Sequence, residues 1–185
     1  MFKAWPKIPR LENEVYHITE KLDGTNACII IDYSGNLHTS CLYRDNINAT
    51  DVGIRAIYAQ SRTRLITPED DNYGFAKWVQ TNAEQLIEDL GMGYHFGEWW
   101  GQGIQRNYGL TEKRFSLFNP AKTSSICHNC IPFCSISAEN LQDELNFWKT
   151  HLFTNGSLTV PGYMKPEGLV VYAEKAKQYW KVITD

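Results

Sequence analysis

The 185-residue sequence predicts an α+β protein. Three observations carry that prediction: strand-type runs recur around 14–19, 27–31, 57–66, 94–100 and 169–172; apolar residues fall at helical spacing over 72–91 and 137–152; and Gly, Pro and Asn punctuate the boundaries. One domain is expected over 1–185, since the chain is long enough for a sizeable core and short for two.

Composition narrows the classes. At 43% hydrophobic and 21% charged the chain reads as globular, and its 13% aromatic content serves cores first and base stacking second. A formal net charge of −3 excludes a protein that holds nucleic acid by bulk attraction, so any such contact must come from a local patch. Five cysteines with no secretory stretch read as reduced thiols. No apolar run approaches the ~20 residues that span a bilayer, so no membrane partner and a cytoplasmic location are expected.

Residues 1–13, with Pro6, Pro9 and mixed charges, are expected to be an extended lead-in. Glu14 to Thr19 alternates as a half-buried strand, Asp23-Gly24 makes a turn, and Ala27 to Ile31 is a second apolar run. Lys21 therefore stands at a strand exit beside a tight turn, where a nucleophile is usually presented. A lysine acts so only when part of it is unprotonated, which a dry pocket or neighbouring cations favour; Arg62, Arg64 and Lys181 are the candidates. Taken alone, Lys-x-Asp-Gly is as well explained by a solvated surface turn.

Asn26 to Tyr33 and Leu37 to Arg44, joined by Ser34-Gly35-Asn36, are expected to pair as a hairpin, with 45–53 a loop. The run 57–66 is strand-like with a break at Ser61-Arg62; Arg62 and Arg64 would share one face, suited to phosphate or, equally, to acidic partners. Phe75, Trp78, Val79, Leu86, Ile87 and Leu90 predict one helix ended by Gly91.

Glu98, among apolar neighbours, needs a defined partner: a cation or a pair of ribose hydroxyls. In the strand ending at Asn119-Pro120, Phe118 shares a face with Ser116 and not with Phe115, so one phenylalanine is core and the other can face a pocket. Cys127, Cys130, Cys134 and His128 do not complete a zinc pattern. Ser137 is the expected N-cap of a helix bearing Leu141, Leu145, Trp148 and Leu152. Strands then follow at 158–160, at 166–172 led by Glu167, and at 178–183, where Lys181 demands a charge partner.

The segments Lys21-Leu22-Asp23-Gly24-Thr25-Asn26, Ser61-Arg62, Phe96-Gly97-Glu98, Phe115 to Asn119, Glu167-Gly168-Leu169-Val170-Val171 and Tyr179-Trp180-Lys181-Val182 resemble, in order, the motifs of the covalent nucleotidyltransferases. These are the RNA and DNA ligases and capping enzymes, and the nearest likeness is to small phage-type ATP-dependent RNA ligases. The resemblance covers about residues 20–181. It implies antiparallel sheets with helices packed outside, the nucleotidyltransferase (adenylation) domain of ligases unrelated to ATP-grasp, and a nucleotide cleft between sheets.

By that resemblance Lys21 attacks the α-phosphate of ATP with Mg2+ or Mn2+, AMP passes to the 5′-phosphate of a polynucleotide, and a 3′-hydroxyl displaces it to seal the strand. The same likeness assigns Glu98 to ribose, Phe118 to stacking on adenine, Glu20 to its amino edge, and Arg62 to ribose or the nucleic-acid end. Glu167 would place a metal or the lysine, Lys181 would neutralise the α-phosphate, and Asn26 would belong to the nucleotide-binding set. RNA contacts would fall to Arg55, Arg64, Arg106, Lys113 and Arg114.

There are departures. Ile183 stands where a second lysine is common, leaving Lys175 or Lys177 as substitutes, and Asn119 stands where aspartate is common. No OB-fold or C-terminal domain is expected after Lys181. If the chain is phage-encoded, the cytoplasm is a host's. Thr25-Asn26 favours RNA over DNA ligation; the alternatives are a minimal DNA ligase, a GTP-using capping enzyme, and a catalytically weak module that binds nucleotide or RNA ends for a partner protein.

Overall fold

The computed structural model describes residues 14–33, 40–50, 53–129 and 132–184. The elements in chain order are β1 (Val15–Lys21), β2 (Thr25–Tyr33), β3 (Tyr43–Thr50), β4 (Gly53–Ser61), β5 (Leu65–Ile66), α1 (Phe75–Thr81), α2 (Ala83–Leu90), β6 (Gly93–Gly101), β7 (Lys113–Leu117), β8 (His128–Asn129), β9 (Pro132–Ser137), α3 (Leu141–Asn155), β10 (Gly168–Ala173) and β11 (Gln178–Ile183). They divide into two compact units, Met1–Leu22 with Ile131–Asp185, and Asp23–Cys130.

In the first unit four antiparallel strands run in the order β11-β10-β1-β9. The alternation read at 14–19 is the alternation of burial along β1. Tyr16 and Ile18 turn to one face with Leu169, Val171 and Ala173 of β10, and α3 covers that face with Leu141, Leu145, Trp148 and the fully buried Leu152. Each such side chain contributes about 1.5–3 kcal/mol when fully buried. The opposite face carries His17, Thr19 and Lys21.

In the second unit seven strands form one sheet, β3-β4-β2-β6-β7-β8, with β5 beside β4. All its pairings are antiparallel except β7 with β8. Helices α1 and α2 pack Phe75, Ala76, Val79, Leu86, Ile87 and Leu90 onto Ile29, Ile31, Ile57 and Trp99. On the other face of the sheet lie Cys28, Ile30, Ala56 and Tyr58, together with Asn26 and Glu98.

Several local expectations are corrected. Among the described residues β2 pairs with β4 and β6, and the described end of the expected partner, Tyr43 and Arg44, pairs with β4 instead; residues 37–39, like the 1–13 lead-in, lie outside the described residues. The expected 45–53 loop is mostly strand, since β3 and β4 pair with each other there.

The single helix over 72–91 is two, parted at Asn82, whose backbone at φ −108 and ψ 17 leaves the helical region and whose side chain joins its own N–H on the Trp78 carbonyl at 2.8 Å. Residues 158–160 form no strand, because the Leu158 and Thr159 N–H groups go to a carboxylate, that of Glu20. Ser137 ends β9 and leads a short 3-10 turn, so Asn140 stands at the N-terminus of α3.

Candidate active site

In the first unit Lys21 is the last residue of β1 and lies opposite Gly168 at the start of β10. Its Nζ donates to Glu167 Oε2 at 2.7 Å. Glu167 is held through its backbone, since its carbonyl accepts from Thr184 N and Thr184 Oγ1, both at 3.1 Å. Gly168 makes this possible: at φ +150 a Cβ there would lie 2.1 Å from the Val182 carbonyl oxygen, so only glycine lets β10 begin so close to β11.

Register places Lys181 on the same face as Lys21. Lys181 pairs with Val170, which pairs with Thr19; one row further are Ile183, Gly168 and Lys21. The charge partner expected for Lys181 is not required, because β11 is an edge strand and Lys181 is exposed. Lys175 and Lys177 do not substitute for a second lysine. They sit in the β10–β11 turn, beyond the Ala173–Gln178 pair, at the end of the strands remote from Gly168.

Glu20 points to the covered face and is 1% exposed. Its Oε2 accepts from Leu158 N at 3.1 Å and from Thr159 N and Oγ1 at 3.0 Å. Its Oε1 is buried with no hydrogen-bond partner among the described residues. A buried acceptor left open in this way costs about 1–3 kcal/mol, so it marks a position where a donor belongs.

In the second unit Asn26 and Glu98 face each other on β2 and β6. Glu98 Oε1 accepts from Gly24 N at 3.0 Å and Oε2 from Asn26 Nδ2 at 3.3 Å. The partner that a buried carboxylate needs is thus supplied by amide donors. Gly24 approaches β6 so closely that a Cβ would lie 2.4 Å from the Trp99 carbonyl oxygen.

Asp23 is tied down by groups the sequence gave no reason to connect. Its N–H donates to Tyr108 Oη at 2.7 Å, and its Oδ2 accepts from Arg106 Nε at 3.0 Å. The nearest signal is the glycine-rich run 101–109, which places an arginine and a tyrosine on a turning backbone but names no partner. Phe115 is core and Phe118 is 40% exposed, as the alternation required. Asn119 caps its own turn by accepting from Ala121 N at 2.9 Å.

The paired arginine face is corrected. Arg62 and Arg64 lie in the β4–β5 turn, not on a strand, and Arg64 forks onto Asp70 at 2.6 and 2.9 Å, the acidic alternative. The other cations expected to hold RNA are engaged as well: Arg55 with Asp45, Arg106 with Asp23, Lys113 with the Tyr73 carbonyl at 2.7 Å, and Arg114 with Glu112 at 2.8 Å. They do not form a patch of free charge.

Among the described residues no three His, Cys, Asp or Glu side chains converge on a metal position. Burial pushes the Cys127 thiol up to about 11, which opposes the thiolate a zinc site needs; Cys130 lies outside the described residues.

A sequence model of the RNA ligase family matches residues 14–183, across both units. The chain belongs to the RNA ligase family. No curated protein matches it by sequence comparison. Among solved structures it is similar to Naegleria gruberi RNA ligase: a variant with ATP and manganese (TM-score 0.60, 15% identity), one with AMP and manganese (0.56, 16%) and one without ligand (0.58, 18%). These matches cover 93–94% of this chain but 50% of each solved chain, so this family member spans half the length of those relatives. At such identities the likeness is one of fold, and it bears out the α+β architecture of antiparallel sheets with packed helices.

Proposed function

We propose that this RNA ligase family member is an ATP-dependent RNA ligase acting through a lysyl-AMP, with both units serving as one adenylation domain. The observation that carries the reading is Lys21 Nζ, at the exit of a central strand and 2.7 Å from Glu167 Oε2. Attack forms an Nζ–phosphorus bond at the α-phosphate of ATP and breaks the bond to the bridging oxygen, releasing pyrophosphate. The amine must shed a proton, and Glu167 is within reach to take it. AMP then passes to a 5′-phosphate, and a 3′-hydroxyl displaces it to seal the strand. Lys181, on the same face, neutralises phosphate charge.

Glu98 suits the ribose role. The Gly24 and Asn26 amides fix the plane of this carboxylate, a group that accepts hydrogen bonds from hydroxyls. The buried Glu20 Oε1 would accept a hydrogen bond from an exocyclic amino group and would oppose a guanine carbonyl, which favours ATP over the GTP of capping enzymes. Phe118, exposed at the end of β7, offers a ring for stacking. A divalent cation has one candidate ligand, Glu167, whose Oε2 is already taken by Lys21, so the residues present do not build a metal site by themselves. Such an ion fits only as one carried mainly by the nucleotide's phosphates. Family membership favours RNA over a DNA nick.

The test is incubation with magnesium and α-labelled ATP, GTP or NAD, followed by denaturing separation, beside Lys21→Ala. Acid-labile label from ATP, absent in Lys21→Ala, is the expected result. A wild-type chain that no nucleotide labels overturns the ligase reading and leaves the nucleotide-binding module.

A further inference from the structure

The face of the first unit's sheet that carries Lys21 also carries a row of rings that the proposed chemistry does not use. His17, Tyr172 and Tyr179 are direct cross-strand partners on β1, β10 and β11. His17 and Tyr172 lie 6.1 Å apart with 24° between their planes, and Tyr172 and Tyr179 lie 4.5 Å apart at 31°. They make a shelf that ends at the sheet edge with Tyr179, which is 63% exposed. The shelf is braced at its other end, where His17 Nδ1 meets Ser135 Oγ at 2.8 Å and Nε2 meets Glu174 Oε2 at 3.4 Å.

We propose that this shelf, with exposed Lys181 in the next row and Lys21 in the row after, is a stacking surface for the unpaired bases of single-stranded RNA near the end to be joined. The charge pattern selects the occupant. Lys181 stands two residues from Tyr179 on the same strand and face, about 7 Å along it. A ring row followed by a cation matches the alternation of base and phosphate in a single strand. An apolar protein partner has no use for the lysine, and a polyanion without bases has none for the rings. The proposal rests on reading Lys21 as the nucleophile, since that is what puts an RNA end on this face.

The test measures anisotropy of a short fluorescent 5′-phosphorylated oligoribonucleotide with wild type, Tyr179→Ala, Tyr179→Phe and Trp180→Ala, alongside AMP labelling. Trp180 is the control: it is 50% exposed on the same strand but turned to the opposite face, opposite Val171. Tyr179→Ala is expected to weaken binding by about 5- to 100-fold while labelling normally, and the other two variants to stay within about twofold of wild type. Equal weakening by Trp180→Ala, unchanged binding by Tyr179→Ala, or no binding by wild type overturns the shelf. The predicted binding pattern in a chain that no nucleotide labels upholds the shelf and refutes the ligase reading, so the two failures are distinct.

Discussion

Gly24→Ala isolates the close approach that sets the turn after Lys21. Gly24 does not have the left-handed backbone of most of the described glycines, so an alanine meets no dihedral penalty and the substitution tests space alone. The new Cβ would sit 2.4 Å from the Trp99 carbonyl oxygen and 2.7 Å from Trp100 Cβ. The first is backbone of a paired strand and cannot swing aside.

Ordinary contact begins near 3.4 Å, so Gly24 must retreat by about 1 Å, which breaks its 3.0 Å hydrogen bond to Glu98. Overpacking costs about 1–3 kcal/mol and loss of a hydrogen bond to a charged group about as much again, roughly 3 kcal/mol together. For a chain of this size that lowers the melting temperature by about 6–12 °C. Misplacing the turn by 1 Å should also slow AMP labelling by up to about 100-fold. Thermal melting by circular dichroism and the labelling gel read both. A Gly24→Ala protein that melts within about 1 °C of wild type would show that β6 yields freely, and the steric account of the motif glycine would be wrong.

Glu20→Gln should narrow the preference for ATP over GTP by roughly tenfold, because an amide can turn a donor toward guanine's carbonyl; an unchanged ratio in paired labelling reactions dismisses the adenine-amino role. Asp89 is held below the usual carboxylate range chiefly by the Ser124 hydroxyl, and Glu14 chiefly by the Lys175 N–H. Their folded values lie below the unfolded ones, so the stability they contribute is complete above about pH 4–5 and is lost as pH falls through the folded values. Asp89→Asn should accordingly flatten the fall in melting temperature below pH 4–5, and an unaltered slope would contradict this. Burial pushes the Cys28 thiol up to about 12, chiefly by desolvation, so a thiol-reactive reagent at pH 8 should spare Cys28 in the native protein and label it in denaturant. Mass mapping that finds native Cys28 labelled as fast as denatured Cys28 would refute it.

Local pattern carried the elements far better than their partners. Burial along β1 follows the alternation of its residues, and the stripe on α3 is the stripe that packs, because both depend on spacing within one segment. The pairing of β2 depends on which distant strand fills its edge, and a turn-rich 34–36 followed by polar 45–53 misdirected it to a neighbour. The candidate site divides the same way. Glu98 betrayed its need for a partner by sitting among apolar residues, yet nothing nearby named Gly24 N–H as the donor. Arg64 suited phosphate and acid equally in the sequence, and only the fold chose Asp70 for it; Tyr108 gave no sign of holding Asp23. Charge in a sequence announces demand; the fold decides who meets it.

Lys21 and Glu167 are separated by 146 residues. During synthesis at about 5–20 residues per second, the strand bearing Lys21 therefore leaves the ribosome roughly 7–30 s before the carboxylate that meets it. β1 has both its sheet neighbours, β9 and β10, from the far side of the intervening unit. Nascent chains stopped anywhere before Glu167 carry Lys21 without the carboxylate it pairs with. On the proposed chemistry, a truncated product displays Lys21 but lacks the carboxylate that would take its proton.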